Sequence, residues 1–126
     1  YGVNVACGDL SGNERESIIT GPGPGAMFGP QVRAWQWDGS QVTPVEGVNF
    51  FAYPEGMFGV SVATADLDFD GREEIITIPG PDATQGARGC VWNVDGGTVS
   101  LMEGCDFNAS QDLQLMMGGT VAGGVY

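Results

Sequence analysis

Apolar and polar residues alternate along this chain in short runs, and each run has a second copy further on. Residues 3–6 read Val-Asn-Val-Ala and residues 60–63 read Val-Ser-Val-Ala, the period of two that a half-buried strand requires. Residues 18–20 and 75–78 are almost continuously apolar, which suits a strand covered on both faces. Third strands are predicted over 32–37 and 90–94, each running into an Asp-Gly turn signal, and fourth strands over 48–53 and 105–109. Between the second and third strands, Gly21-Pro22-Gly23-Pro24-Gly25 and Pro79-Gly80-Pro81 forbid regular structure and predict loops. No stretch combines helical periodicity with caps.

The second copies keep one register. A shift of 57 positions carries Gly2 to Gly59, Ile18 and Ile19 to Ile75 and Ile76, Trp35 to Trp92, and Phe50 to Phe107. The chain therefore divides into a unit over 1–57, a second over 58–117, and a segment over 118–126. In that last segment Gly118, Val121 and Ala122 mirror Gly59, Val62 and Ala63, as if a further first strand began there; alternatively, Tyr126 takes the place of Tyr1 in a following unit.

Directly after the first strand of the second unit the chain reads Asp66-Leu-Asp68-Phe-Asp70-Gly71-Arg72-Glu73-Glu74. Alternate carboxylates share one side and repel one another unless a cation joins them, and calcium is the hard dication that carboxylates, a carbonyl and water hold in a flexible loop. Asp66, Asp68, Asp70, the main-chain carbonyl of Arg72 and Glu74 form the expected ligand set, with Gly71 supplying the turn. The resemblance to an EF-hand is only partial, because the twelfth loop position, counted from Asp66, falls on Thr77 where that motif has its bidentate Glu. A solvated acidic turn is the structural alternative. The first unit offers only Asp9, Ser11 and Asn13, with Ser17 at the place of Glu74, so its site is expected to be weak or empty.

Four antiparallel strands per repeat predict an all-β protein built of β-propeller blades, with two tandem four-stranded antiparallel repeats. Phe58-Gly59, the Asp66 to Glu74 loop and Ile75-Ile-Thr-Ile-Pro79-Gly80 together resemble the FG-GAP (VCBS-like) repeat of integrin-α-type propellers. Tyr1-Gly2, Asp9-Leu-Ser-Gly-Asn13 and Ile18-Ile-Thr-Gly-Pro-Gly23 repeat the pattern. The resemblance implies a calcium ion in the loop between the first two strands, an extracellular or cell-surface location, and a part in adhesion or assembly. Two blades do not close a ring, so further blades, or other copies of the chain, are the expected partners.

Composition narrows the function. Sixteen acidic residues against four arginines give a net charge of −12, which repels polyanions and argues against nucleic-acid binding. There is no histidine and no lysine, so zinc-histidine sites and nucleophile-base pairs built on either residue are absent. With the part in adhesion that the resemblance implies, a non-catalytic binding or adhesion module is expected, with a filament or surface-layer subunit as the alternative. No apolar run approaches the roughly 20 residues of a membrane-spanning helix. The chain opens in a strand pattern, so any signal peptide is expected to have been removed already.

Cys90 and Cys105 lie symmetrically about the Asp95-Gly96-Gly97 turn, which predicts either a disulfide across a regular hairpin or two small buried thiols; Cys7 is expected in the core. Asn108-Ala109-Ser110 is a glycosylation sequon at Asn108. Trp35, Trp37 and Trp92 are expected to pack between units, the other use of such aromatics being to stack on a protein or carbohydrate ligand.

Overall fold

The computed structural model describes residues 2–81 and 87–108. These form nine strands: β1 (Val3–Gly8), β2 (Ser17–Pro22), β3 (Gln31–Trp37), β4 (Val42–Phe51), β5 (Val60–Ala65), β6 (Glu74–Pro79), β7 (Arg88–Asp95), β8 (Thr98–Leu101) and β9 (Phe107–Asn108). The all-β class is as the pattern predicts. Strands β1-β2-β3-β4 make one antiparallel sheet, and β5-β6-β7-β8 make a second, to which β9 adds by pairing with β7. The segment over 118–126 and the end of the second unit lie outside the described residues.

The fourth strand departs from expectation in both units. It begins at once after the turn, so β4 takes in Val42 to Gly47, which the sequence pattern had left out. Pairing then slips: Trp35 lies opposite Pro44, yet Arg33, two residues back, lies opposite Asn49, so three extra residues bulge from β4. In the second unit Trp92 faces Leu101 while Gly89 faces Phe107, the same slip, and there the strand breaks into β8 and β9. The sheet edge is where Pro44 and such irregularities are tolerated.

That slip also separates the two cysteines. Cys90 is buried in the inter-sheet core, whereas Cys105 lies in the bulge and packs with Met102 against Ala63, Ala65, Ile76 and Val91 on the opposite face of the sheet. Both are free thiols, Cys90 buried and Cys105 half-buried, so of the two alternatives the hairpin disulfide is not formed. Cys7 is exposed rather than in the core, because it sits on the outer face of β1.

The sheets stack face to face. Ile19, Val32, Ala34 and Val48 of the first pack against Val60, Val62, Ile75, Cys90 and Val94 of the second, and this shared layer is the main core. Asn4 donates to the Val60 carbonyl at 2.8 Å, and the Thr64 hydroxyl donates to the Cys7 carbonyl at 2.7 Å, so polar groups at the seam are paired. Gly47, at φ 80°, passes so close to Gly97 that a Cβ would run into the Gly97 carbonyl. Covered by the first sheet on the face that carries Ile75, and packed with Met102 and Cys105 on the face that carries Ile76, β6 is buried along its whole length, while β2, with the same sequence character, is fully buried only at alternate positions.

Of the tryptophans, only Trp92 packs between the units, its ring 4.8 Å from that of Phe50. Trp35 lies on the outer face beneath the Arg33 guanidinium, 4.2 Å from the ring centroid, and Trp37 is 56% exposed. Asn108 is exposed in β9.

Candidate metal centre

The loop from β5 to β6 is held by its own backbone. Asp66 accepts the N–H groups of Asp70 at 3.2 Å and Gly71 at 3.0 Å, which folds the loop back on itself. Phe69 and Gly71 take left-handed φ of 62° and 88°, which alternate so that the chain can turn twice within three residues. In the first loop Gly12 and Glu14, the same positions 57 residues earlier, have φ of 68° and 62°. One backbone conformation thus serves both loops, and only the side chains differ.

In the second loop this conformation brings Asp66, Asp68 and Glu74 together, one carboxylate oxygen from each lying within 4.8 Å of the others. Such a group could hold a metal ion. Glu74 opens β6 and is 1% exposed, with the Leu67 N–H donating to it at 2.7 Å. Burial pushes its pKa above the ordinary carboxylate value; the Leu67 N–H opposes this, and the charges of Asp68, Asp66 and Asp70 add to it. A buried carboxyl facing other carboxylates is the group that most favours a cation beside it. An all-oxygen donor set of this kind suits a hard dication.

Asp70 does not join the group. Its carboxylate receives the Arg72 guanidinium at 2.7 Å, and this hydrogen bond, together with the Arg72 N–H, holds its pKa below the usual value. Arg72 reaches on to Asp95 at 3.0 Å, tying the loop to the β7–β8 turn.

Among the described residues, the first loop gathers no comparable cluster. Asp9 accepts four backbone N–H groups, from Ser11, Gly12, Asn13 and Glu14, at 2.6 to 3.2 Å. Burial raises its pKa, but these donors outweigh that and leave it lowered. Asn13 accepts from the Arg15 N–H at 3.0 Å, and Ser17 is fully buried beside Gln36.

Two residues matter here that the sequence pattern did not single out. Glu73 accepts the Asp9 N–H at 2.6 Å while its own N–H donates to the Asp9 carbonyl at 2.8 Å, so the second loop clasps the first. Tyr53, just beyond β4, is 1% exposed, and its hydroxyl lies 2.7 Å from the Arg88 carbonyl and 3.1 Å from the Thr77 hydroxyl. Both contacts run between units, and a comparison of each unit with its own copy carries no signal for them. Comparison of the chain with protein-family models, with curated proteins and with solved structures gave no match.

Proposed function

We propose that this chain is a non-catalytic, calcium-binding β-propeller-type repeat module that acts outside the cell in adhesion or protein binding. The observation that carries the reading is the meeting of Asp66, Asp68 and Glu74 in one loop, with Glu74 buried against the other two. Calcium relieves their repulsion, fixes the loop between β5 and β6, and through Glu73 steadies the first loop as well. The absence of His and Lys, and the engagement of Asp70 by Arg72, leave the acidic residues a structural task rather than an acid–base one. A high acidic charge fits a solvent-facing module that attracts cations.

Titration calorimetry with calcium on the chelator-treated protein is expected to show one site, with a higher melting temperature on saturation. No heat of binding and no shift in melting would remove calcium from the reading. A second reading, a subunit that assembles with others of its kind, is favoured by one observation: Val3 and Val5 on the outer face of the first sheet are 63% and 59% exposed.

A further inference from the structure

The two units stack in one direction. The first covers the face of the second that carries Val60, Val62, Thr77, Cys90 and Trp92, and the corner after β4 sinks Tyr53 into it. The Tyr53 hydroxyl reaches the Arg88 carbonyl at 2.7 Å and the Thr77 carbonyl at 3.0 Å, while Trp92 Nε1 donates to the Thr77 hydroxyl at 2.9 Å. Carried back 57 positions, that face becomes Val3, Val5, Thr20, Arg33 and Trp35, the outer face of β1, β2 and β3. The same polar pair stands ready there, with Trp35 Nε1 donating to the Thr20 hydroxyl at 3.0 Å.

Where Tyr53 sits in the second unit, the first has an open groove of about 380 Å³. Its lining includes Thr20, Gln31 and Arg33, the equivalents of Thr77, Arg88 and Cys90, which surround the Tyr53 hydroxyl. Val3, Pro22 and Trp35 complete its wall as the equivalents of Val60, Pro79 and Trp92. We propose that this groove is a socket for a tyrosine phenol presented by a further unit of the same kind, stacked on the outer face of β1–β3 as the first unit stacks on the second.

The covering unit here is the one that immediately precedes the covered unit in the chain, so the occupant is a unit joined ahead of Tyr1. Its phenol meets Thr20, and its ring lies against the Arg33 guanidinium, a cation where the second unit has the small Cys90. This rests on the stacked-repeat part of the function proposed above and is independent of its calcium.

The test extends the full chain with a second copy of residues 1–57 ahead of Tyr1, the added copy carrying Cys7→Ser so that the original Cys7 can be followed alone. Cys7 is exposed and shares the outer face with Val3 and Val5, whereas its equivalent Thr64 is 6% exposed. Alkylation at Cys7, read by mass spectrometry, is expected to slow by on the order of tenfold in the extended chain, because thiol reactivity follows exposure. Tyr53→Ala in the added copy is expected to restore most of that reactivity, and Tyr53→Phe part of it. Unchanged alkylation at Cys7, or an added unit that stays unfolded while the rest melts normally, overturns the proposal. So does protection of Cys7 that grows with the concentration of the unextended chain, which makes a second copy the occupant. Calcium calorimetry on the same samples tells failure of the socket from failure of the metal site.

Discussion

At the scale of the residue, Glu74 decides the behaviour of the acidic loop. Its pKa is raised by burial and by the neighbouring carboxylates, so in the calcium-free protein its contribution to stability is fully present below the ordinary value of 4.5 and is lost as pH rises through the raised one. Asp9 and Asp70, whose pKa values lie below 3.8, act with the opposite sign: their contribution is present above 3.8 and is lost as pH falls. At neutral pH, then, Glu74 is a cost that a cation turns into a gain. Glu74→Gln is expected to stabilise the calcium-free protein at pH 7, where the charged carboxyl is a cost, and to abolish the stabilisation by calcium. A variant that is less stable without calcium yet keeps its calcium response, as read by thermal melts with and without chelator, places the metal elsewhere. The two loops are also unequal. Asp68→Ala is expected to remove most calcium binding in calorimetry, whereas Ser11→Ala leaves it unchanged, because the loop containing Ser11 is already held by the four N–H groups donated to Asp9. Comparable losses from the two would show that both loops bind.

At the scale of the element, the strands are legible in the alternation of residues, and the burial of both faces that the apolar runs predict holds for β6 but not for β2. Ile18 and Ile75 are the same residue at the same place in the repeat, yet Ile75 is fully buried and Ile18 only partly. The difference comes from what covers the sheet, and a local pattern carries no such information. The acidic loop was read correctly as a cluster in Asp66, Asp68 and Glu74, because spacing and Gly71 fix the backbone. Asp70 stands outside that cluster because Arg72, two residues on, engages it across the turn. The fourth strands were misread for a similar reason: three bulged residues break the count on which a cross-hairpin pairing of Cys90 and Cys105 depends. Tyr53 carries the inter-unit contact that no periodicity marks. Tyr53→Phe keeps the ring but leaves the Arg88 carbonyl without its phenol donor in a partly buried place, and is expected to cost about 1–2 kcal/mol. Denaturant melts measure this, and a loss below about 0.5 kcal/mol, the scatter of surface changes, means that the hydroxyl does not hold the units together.

At the scale of the whole molecule, the two units share one core and therefore one stability. The main apolar layer belongs to both sheets, since Ile19, Val32 and Val48 pack on Val60, Ile75 and Val94, and only a smaller cluster of Ala63, Ala65, Ile76 and Val91 lies on the second sheet alone. The seam is fastened at the loop end by the paired hydrogen bonds of Glu73 with Asp9. It is fastened at the opposite end by Tyr53, and along its length Gly47 lets the backbone meet Gly97. An ion bound by the second loop is thus linked to the first, which has no comparable site of its own. The expectation is a single cooperative unfolding transition whose midpoint falls on chelation without splitting in two. Two local probes test this: fluorescence of Trp92 in a Trp35→Phe, Trp37→Phe background for the second unit, and amide exchange of β1 and β2 for the first. Coincident transitions, displaced together by chelator, follow from the shared core. If chelation instead released Trp92 while β1 and β2 kept their exchange protection, the first unit would be folding on its own, and the contacts across the seam would be incidental to its stability. Gly47→Ala sharpens the comparison, because the close approach to Gly97 leaves no room for a methyl group at φ 80°. It is expected to lower both probes' midpoints together by an amount equivalent to about 2–3 kcal/mol, through a contact that belongs to neither unit alone.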